Sequence, residues 1–435
     1  MGFLNKNKST EIFDDGSLKI INTLFFFTLL FCYLLFGKER SVTWDGSIAI
    51  LNTFSGKLFF FSENRIFTVI NCLLPAFVNQ LNNDIHWVVW AYAVSYCILP
   101  SVNFIFFRYI VKDEKFLTIF LFGQCMFYVH SFFVASHDTI TIFYLLFFIY
   151  YFLRHQSNSS NLILSILILF VVFGHFSQVI SLFVILGYCF VCKDKQNNRI
   201  FILCLYTMIL LLVKLIFFNG AYEQDFFSNL LQQNNLFKYL PYNETLKWFF
   251  VSIFTYNLVF FLLFIISFYF LFNKKKKIIL YYLTLASVIC IWFISFIFYD
   301  SRGLHFYTEP HYKCLAVLIS IVFVEEVYGH LKPLFQKLIV SFVYLYALVF
   351  ILYAGTAYKQ YYKYVAGICK ELKSNTLYYL PEAKTSDTHV FLPIESTVIN
   401  LFENNKCNFI VFRNEAKLDD FTNEFIQHNR LPCLN

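Results

Sequence analysis

The topology of the chain turns on the segment Ile66-Phe67-Thr68-Val69-Ile70-Asn71-Cys72-Leu73-Leu74-Pro75-Ala76-Phe77-Val78-Asn79-Gln80-Leu81. Ile66, Ile70, Leu73, Leu74, Phe77, Val78 and Leu81 recur at i, i+4, i+7 spacing on one helical face, while Thr68, Asn71, Pro75 and Asn79 fall on the other. An apolar stripe with a polar back describes a helix lying in a membrane interface, not one crossing it.

Parity supports that placement. A spanning helix needs about 20 apolar residues. On that rule spans fall near 20–36, 87–107, 116–134, 139–153, 161–174, 176–192, 200–219, 247–272, 278–298, 312–329 and 336–356. With 66–81 kept out of the count, loops 108–115, 154–160, 193–199, 274–277 and 330–337 share a side with the N-terminus. They carry Arg108, Lys112, Lys115, Arg154, Lys193, Lys195, Arg199, Lys274, Lys275, Lys276, Lys277, Lys332 and Lys337. The opposite loops after residue 108, the tail aside, carry only Lys238, Lys247, Arg302 and Lys313. Basic loops stay in the cytoplasm; a crossing at 66–81 would invert every later loop and break that rule.

The expected fold is an all-α polytopic membrane protein with eleven spans, N-terminus in and C-terminus out. Residues 1–19 form a cytoplasmic N-terminus, without the small-residue cleavage site of a signal peptide, and 20–356 the membrane domain. The first outer loop, 37–86, holds in-plane helices near 45–55 and 66–81. Residues 357–435 form a small extracytoplasmic α/β domain: helix 357–373, strand 389–393, helix 396–404 with Ser396 as N-cap, strand 408–412 and helix 415–428.

Composition agrees. The chain of 435 residues is 59% hydrophobic, 22% aromatic and only 14% charged, with 60 Phe and 30 Tyr. A soluble domain carries about 25% charged residues, so lipid must be the solvent. The net charge of +7 is spread over loops and forms no nucleic-acid patch. Of 12 cysteines, nine lie in or beside apolar stretches; a disulfide is open only among Cys369, Cys407 and Cys433 in the tail.

Ionisable residues in or beside spans are expensive and mark function. Here they fall on one side. Asp45 follows span one in Thr43-Trp44-Asp45-Gly46. His137 and Asp138 form the outer turn before 139–153, and His175 the turn before 176–192. The turn 299–311 carries Asp300, Arg302, His305, Glu309 and His311. Plainer readings stand beside these: Asp45 as a helix N-cap, His137 and Asp138 as a solvated cap, His175 as a polar turn residue, and 299–311 as an exposed loop. Glu63 and Arg65 suit interface anchors, Lys214 snorkels outward, and Lys274–Lys277 anchor headgroups. Asp45, His137 and Asp138 offer oxygen and imidazole ligands to Mg²⁺ or Mn²⁺ as a weaker alternative. Phosphate-loop and nucleophile-elbow motifs are absent.

A first span, a long outer loop opening with an Asp and holding amphipathic helices, many further spans and an extracytoplasmic tail together resemble the GT-C superfamily. These are membrane glycosyltransferases that use polyprenyl-phosphate sugars; the chain looks like a bacterial branch. The residues that carry the likeness are Trp44-Asp45-Gly46, Ser136-His137-Asp138, Gly174-His175 and the turn around Arg302. It implies that Asp45 is the catalytic base. The chain departs from the common pattern in having Gly46 where a second acid often follows, and His137 where relatives often show a Glu.

The chemistry fits independently. Outside the cytoplasm a sugar donor must be lipid-anchored. Transfer needs a carboxylate to take the acceptor's proton, which Asp45 supplies. It needs cations for the leaving phosphate, which Arg302, His305 and His311 supply. It also needs an apolar groove for the prenyl chain, which the Phe-rich spans supply. The acceptor is a lipid or cell-envelope glycan at the outer face, with the periplasmic side of a bacterial inner membrane as the expected location. The sequon Asn243-Glu244-Thr245 keeps an endoplasmic reticulum membrane open. A transporter or flippase for a lipid-linked glycan is the rival from another class, and a glycan polymerase or ligase a near relative.

Overall fold

The computed structural model of the protein describes residues 16–43, 45–54, 69–127, 132, 137–155, 158–174, 176–192, 197–218, 250–251, 257–297, 315–371, 377–380, 392–405 and 409–412. These residues are almost entirely helical. The helices are α1 Gly16–Leu35, α2 Gly37–Ser41, α3 Asp45–Phe54, α4 Val69–Asn82, α5 Ile85–Ile105, α6 Glu114–Phe127, α7 His137–Arg154 and α8 Asn158–Val172. They continue as α9 Phe176–Val191, α10 Asn197–Phe217, α11 Leu258–Asn273, α12 Lys277–Ile297, α13 Ala316–Val322, α14 Pro333–Glu371 and α15 Leu392–Asn404. A π-helical turn, Phe106–Ile110, extends α5, and a second, Phe323–Val327, extends α13. Strands β1 Leu377–Leu380 and β2 Phe409–Phe412 pair in parallel.

Each apolar run read from the sequence overlaps a helix. Among the described residues, four helices are long and apolar enough to cross a membrane: α1, α5 with its π turn, α10 and α14. Five shorter apolar helices of 10–17 residues accompany them, within α7, α8, α9, α11 and α12.

The burial pattern shows which solvent they face. α6 and α13 are buried along almost their whole length and form the centre with α7. The peripheral helices turn apolar side chains outward at helical spacing: Ile20, Leu24, Phe27, Phe31 and Leu34 on α1, and Leu334, Leu338, Phe342, Leu345 and Val349 on α14. In water such stripes would be covered; facing hydrocarbon they need no cover.

Polar contacts sort the helix ends into two groups. At one end Glu325 and Glu326, consecutive on the π turn after α13, reach opposite ways. Glu325 takes Lys115 at 2.5 Å and the Tyr150 hydroxyl at 2.9 Å, with Arg154 at 4.0 Å. Glu326 pairs with Lys276 and accepts from Tyr188 at 3.1 Å. Nearby contacts extend this end: Arg108 pairs with Glu114, Asn22 donates to Glu114 and Thr118, and Arg199 donates to Ser160 at 3.0 Å. His330 stacks on Phe270, and burial, then Lys276 and Lys274, hold its pKa below the ordinary value. Arg108, Lys115, Arg154, Arg199, Lys276, His330 and the start of α1 therefore share one end, the grouping that charge parity predicts for them.

α4 is 14 residues, about 21 Å at helical rise, short of a hydrocarbon core of about 30 Å. Its polar back faces protein: Asn71 donates to Thr141 at 2.8 Å and Asn79 to the Thr53 carbonyl at 2.8 Å. Leu73, Phe77 and Leu81 are exposed. α4 pairs closely with α5, its neighbour across Asn83 and Asp84, rather than lying alone.

The tail differs from its sequence reading. The expected start of the tail, 357, falls inside α14, which runs unbroken through it. Thirty-nine residues span about 58 Å, so α14 outruns the bilayer and carries its helix beyond it. Gly355 lets it approach α1, since a Cβ there would stand 2.3 Å from the Phe36 ring. α15 begins at Leu392, four residues before Ser396, so Ser396 is a buried interior residue and no N-cap. Residues 392–393 of the expected strand 389–393 open this helix, and Pro393 suits its first turn. β1 was not foreseen, and β2 lies within the expected 408–412. Helix 415–428 lies outside the described residues. Cys369 is a free thiol.

α15 docks on the end opposite the basic one. Glu403 accepts from Lys38 at 3.1 Å and from Tyr362 at 2.6 Å, and His86 meets Phe402 at 4.3 Å. Burial pushes the Glu403 pKa up, but the Tyr362 and Lys38 hydrogen bonds, with the charges of Lys38 and His86, outweigh it and hold the carboxyl below its ordinary 4.5. A depressed folded pKa gives stability that is full above the unfolded value and is lost as pH falls through the folded one. This clasp, worth about 1 kcal/mol or less because it is part-exposed, therefore opens below the usual carboxylate range. Amide exchange of α15, corrected for intrinsic rates, should lose protection there, and Glu403→Gln should show the loss at neutral pH with no further acid step.

Candidate functional site

The end opposite the basic cluster holds α2 and the starts of α3 and α7. α1 gives way at Phe36 to the short α2; the chain then turns, with Thr43 Oγ1 donating to the Arg40 carbonyl at 3.2 Å and the Gly46 amide to the Thr43 carbonyl at 3.1 Å. α3 starts at Asp45, where a carboxylate suits the positive end of the helix dipole. A Cβ at Gly46 would stand 2.3 Å from the Ser41 carbonyl oxygen. That contact explains why a second acid does not follow Asp45: residue 46 has no room for a side chain.

His137 and Asp138 are the first two residues of α7. Thr141, one turn further, accepts from Asn71 of α4, which is tied to α3 through Asn79 and the Thr53 carbonyl. α4 thus joins the helix that begins at Asp45, near that helix's far end at Thr53, to the one that begins at His137. Lys214 is buried and donates to the Gly174 carbonyl at 2.8 Å. Its amine thus ends on a backbone carbonyl inside the protein and does not snorkel to water as the sequence suggests. His175, Arg302, His305, Glu309 and His311, with Glu63 and Arg65, lie outside the described residues. Among the described residues no three His, Cys, Asp or Glu group as a metal site.

Sequence reasoning passed over Arg40. Its side chain is 1% exposed. The guanidinium carbon lies 4.2 Å from the Tyr96 ring centre, 4.4 Å from Tyr33 and 4.9 Å from Phe132, and Nε donates to the Phe132 carbonyl at 2.6 Å. From Tyr33 a buried polar line runs inward: its hydroxyl meets that of Tyr144 at 3.1 Å, and Gln124 Nε2 donates to Tyr144 at 3.1 Å. The signal in the sequence was Lys38-Glu39-Arg40, a charged triplet directly after an apolar run and five residues before Asp45.

Apolar stripes facing outward and charge confined to helix ends are those of an integral membrane protein. Comparison with family models, with curated proteins and with solved structures returns no match to any of them.

Proposed function

We propose that the protein is a membrane glycosyltransferase that moves a sugar from a polyprenyl-phosphate donor to a lipid or envelope-glycan acceptor. The observation that carries this reading is that α4 bonds both to α7, which opens with His137 and Asp138, and to α3, which opens with Asp45, away from the basic end. Asp45 is the general base. Arg302, His305 and His311 stabilise the departing phosphate, with His137, Asp138, His175 and Glu309 lining the substrate. A divalent metal on Asp45, His137 and Asp138 is an alternative for the same chemistry.

The grouping of basic loops supports eleven crossings with that end in the cytoplasm, and so a site facing the periplasm. α15 and the β1–β2 pair support a small α/β unit on the site's side. Among the described membrane helices the buried Arg40 and Glu114 sit at helix ends, with Lys214, inside its span, the exception. A coupled transporter wants such groups at the midplane, so this arrangement favours transfer over transport.

The test is a membrane assay with a radiolabelled polyprenyl-phosphate sugar. The expected result is label leaving the lipid donor for a second product, with the loss of transfer in Arg302→Ala. Donor that crosses the bilayer unhydrolysed and untransferred would instead establish the flippase.

A further inference from the structure

We propose that Arg40 and Ser41 hold an anion, the phosphate of a phosphate ester, at the Asp45 end of the bundle. A buried cation without a counter-charge is among the costliest groups a fold can keep. Three aromatic rings stand around the Arg40 guanidinium and offset part of that cost through their π faces. Rings stacked on a guanidinium do not satisfy the N–H groups in its plane. One in-plane donor, Nε, is spent on the Phe132 carbonyl. The other two nitrogens, Nη1 and Nη2, are buried with no hydrogen-bond partner, and so is the hydroxyl of Ser41, the next residue.

Unsatisfied donors on a locked positive group form a preorganised receptor for an oxyanion, and the guanidinium fork matches two phosphate oxygens. The Ser41 hydroxyl is a further unpaired donor on the next residue. Position fits as well. Arg40 follows the first span and precedes Asp45 by five residues, and its own carbonyl lies 3.4 Å from where a Gly46 Cβ would be. The backbone of Arg40 thus belongs to the turn that leads into α3, while its guanidinium stands among Tyr33, Tyr96 and Phe132. That the anion is a phosphate ester rests on the transferase reading; that an anion belongs there rests on Arg40 and Ser41 alone.

The experiment measures binding, so it can succeed where the activity assay fails. Full-length protein in lipid nanodiscs is titrated with farnesyl phosphate, with farnesol and with inorganic phosphate, and binding is read from the thermal shift. Wild type should respond to farnesyl phosphate and not to farnesol. Arg40→Gln should weaken binding by about tenfold or more and Ser41→Ala by about threefold, as expected for charged and neutral hydrogen bonds. If Arg40→Gln does not fold, Arg40→Lys, which keeps the charge and loses the fork, is read with Ser41→Ala; each should weaken binding about threefold or more. Inorganic phosphate competing at millimolar levels would assign the site to a soluble phosphate, and its failure to compete would assign it to a lipid headgroup; both uphold the anion site. Equal responses to farnesol and farnesyl phosphate, no response to any probe, or binding kept within about twofold in the folded variants would overturn it.

Discussion

Asp45→Asn lowers sugar transfer by about 10²–10⁴-fold, the usual contribution of a positioned base, while its melting temperature stays within about 2 °C of wild type. The second half of that expectation separates the two readings of this residue. Asp45 begins α3, and Asn there forfeits only the charge–dipole attraction, about 0.3–1 kcal/mol at a helix start. If the carboxyl only secures the helix, the amide does the same and transfer survives. If the carboxyl takes the acceptor's proton, the amide cannot, and kcat falls with little change in donor KM. A neighbour cannot substitute, because the Ser41 carbonyl excludes any side chain at residue 46. Unchanged kcat in a folded Asp45→Asn protein would remove Asp45 from the mechanism.

Much of the fold was legible because its strongest signals are long-range in sequence and insensitive to detail. Apolar runs mark helices, and loop charge marks which ends are shared. Arg108, Lys115, Arg154, Arg199 and Lys276 do come to one end. The boundary at 357 failed for a physical reason. From Ala357-Tyr358-Lys359 onward the composition turns polar, which changes the solvent a helix prefers but not its backbone, so α14 continues to Glu371. Ser396 misled in a related way: it is a good cap residue, but the start of a helix is fixed by what it packs on, and α15 already covers the end of α14 from Leu392. Arg40 was illegible because a Lys-Glu-Arg turn reads as solvated. Only the three-dimensional approach of Tyr96 and Phe132, far along the chain, shows that the guanidinium is enclosed.

The acidic pair at the basic end leads to the largest expected loss of stability. Glu325 is 9% exposed and is the shared acceptor for Lys115 on α6 and for Tyr150 on α7, so removing it unpairs groups on two helices at once. Breaking a buried pair costs about 3–5 kcal/mol; since Lys115 and Arg154 keep roughly a third of their surface in water, Glu325→Ala belongs at the lower limit, about 3 kcal/mol. Glu326→Ala should cost less, because its partner Lys276 is 38% exposed and can rehydrate. Consecutive side chains on a helix diverge by about 100°, so the two acids face different helices, and α13 is clamped between α6 and α7 on one side and the α11–α12 loop on the other. Unfolding titrations in mixed micelles of Glu325→Ala, Lys115→Ala and the double variant test the clamp. The double variant should cost less than the sum of the singles, since each single strands the other's charge. Strict additivity would mean that the helix ends are held by apolar packing alone, with the charges merely tolerated.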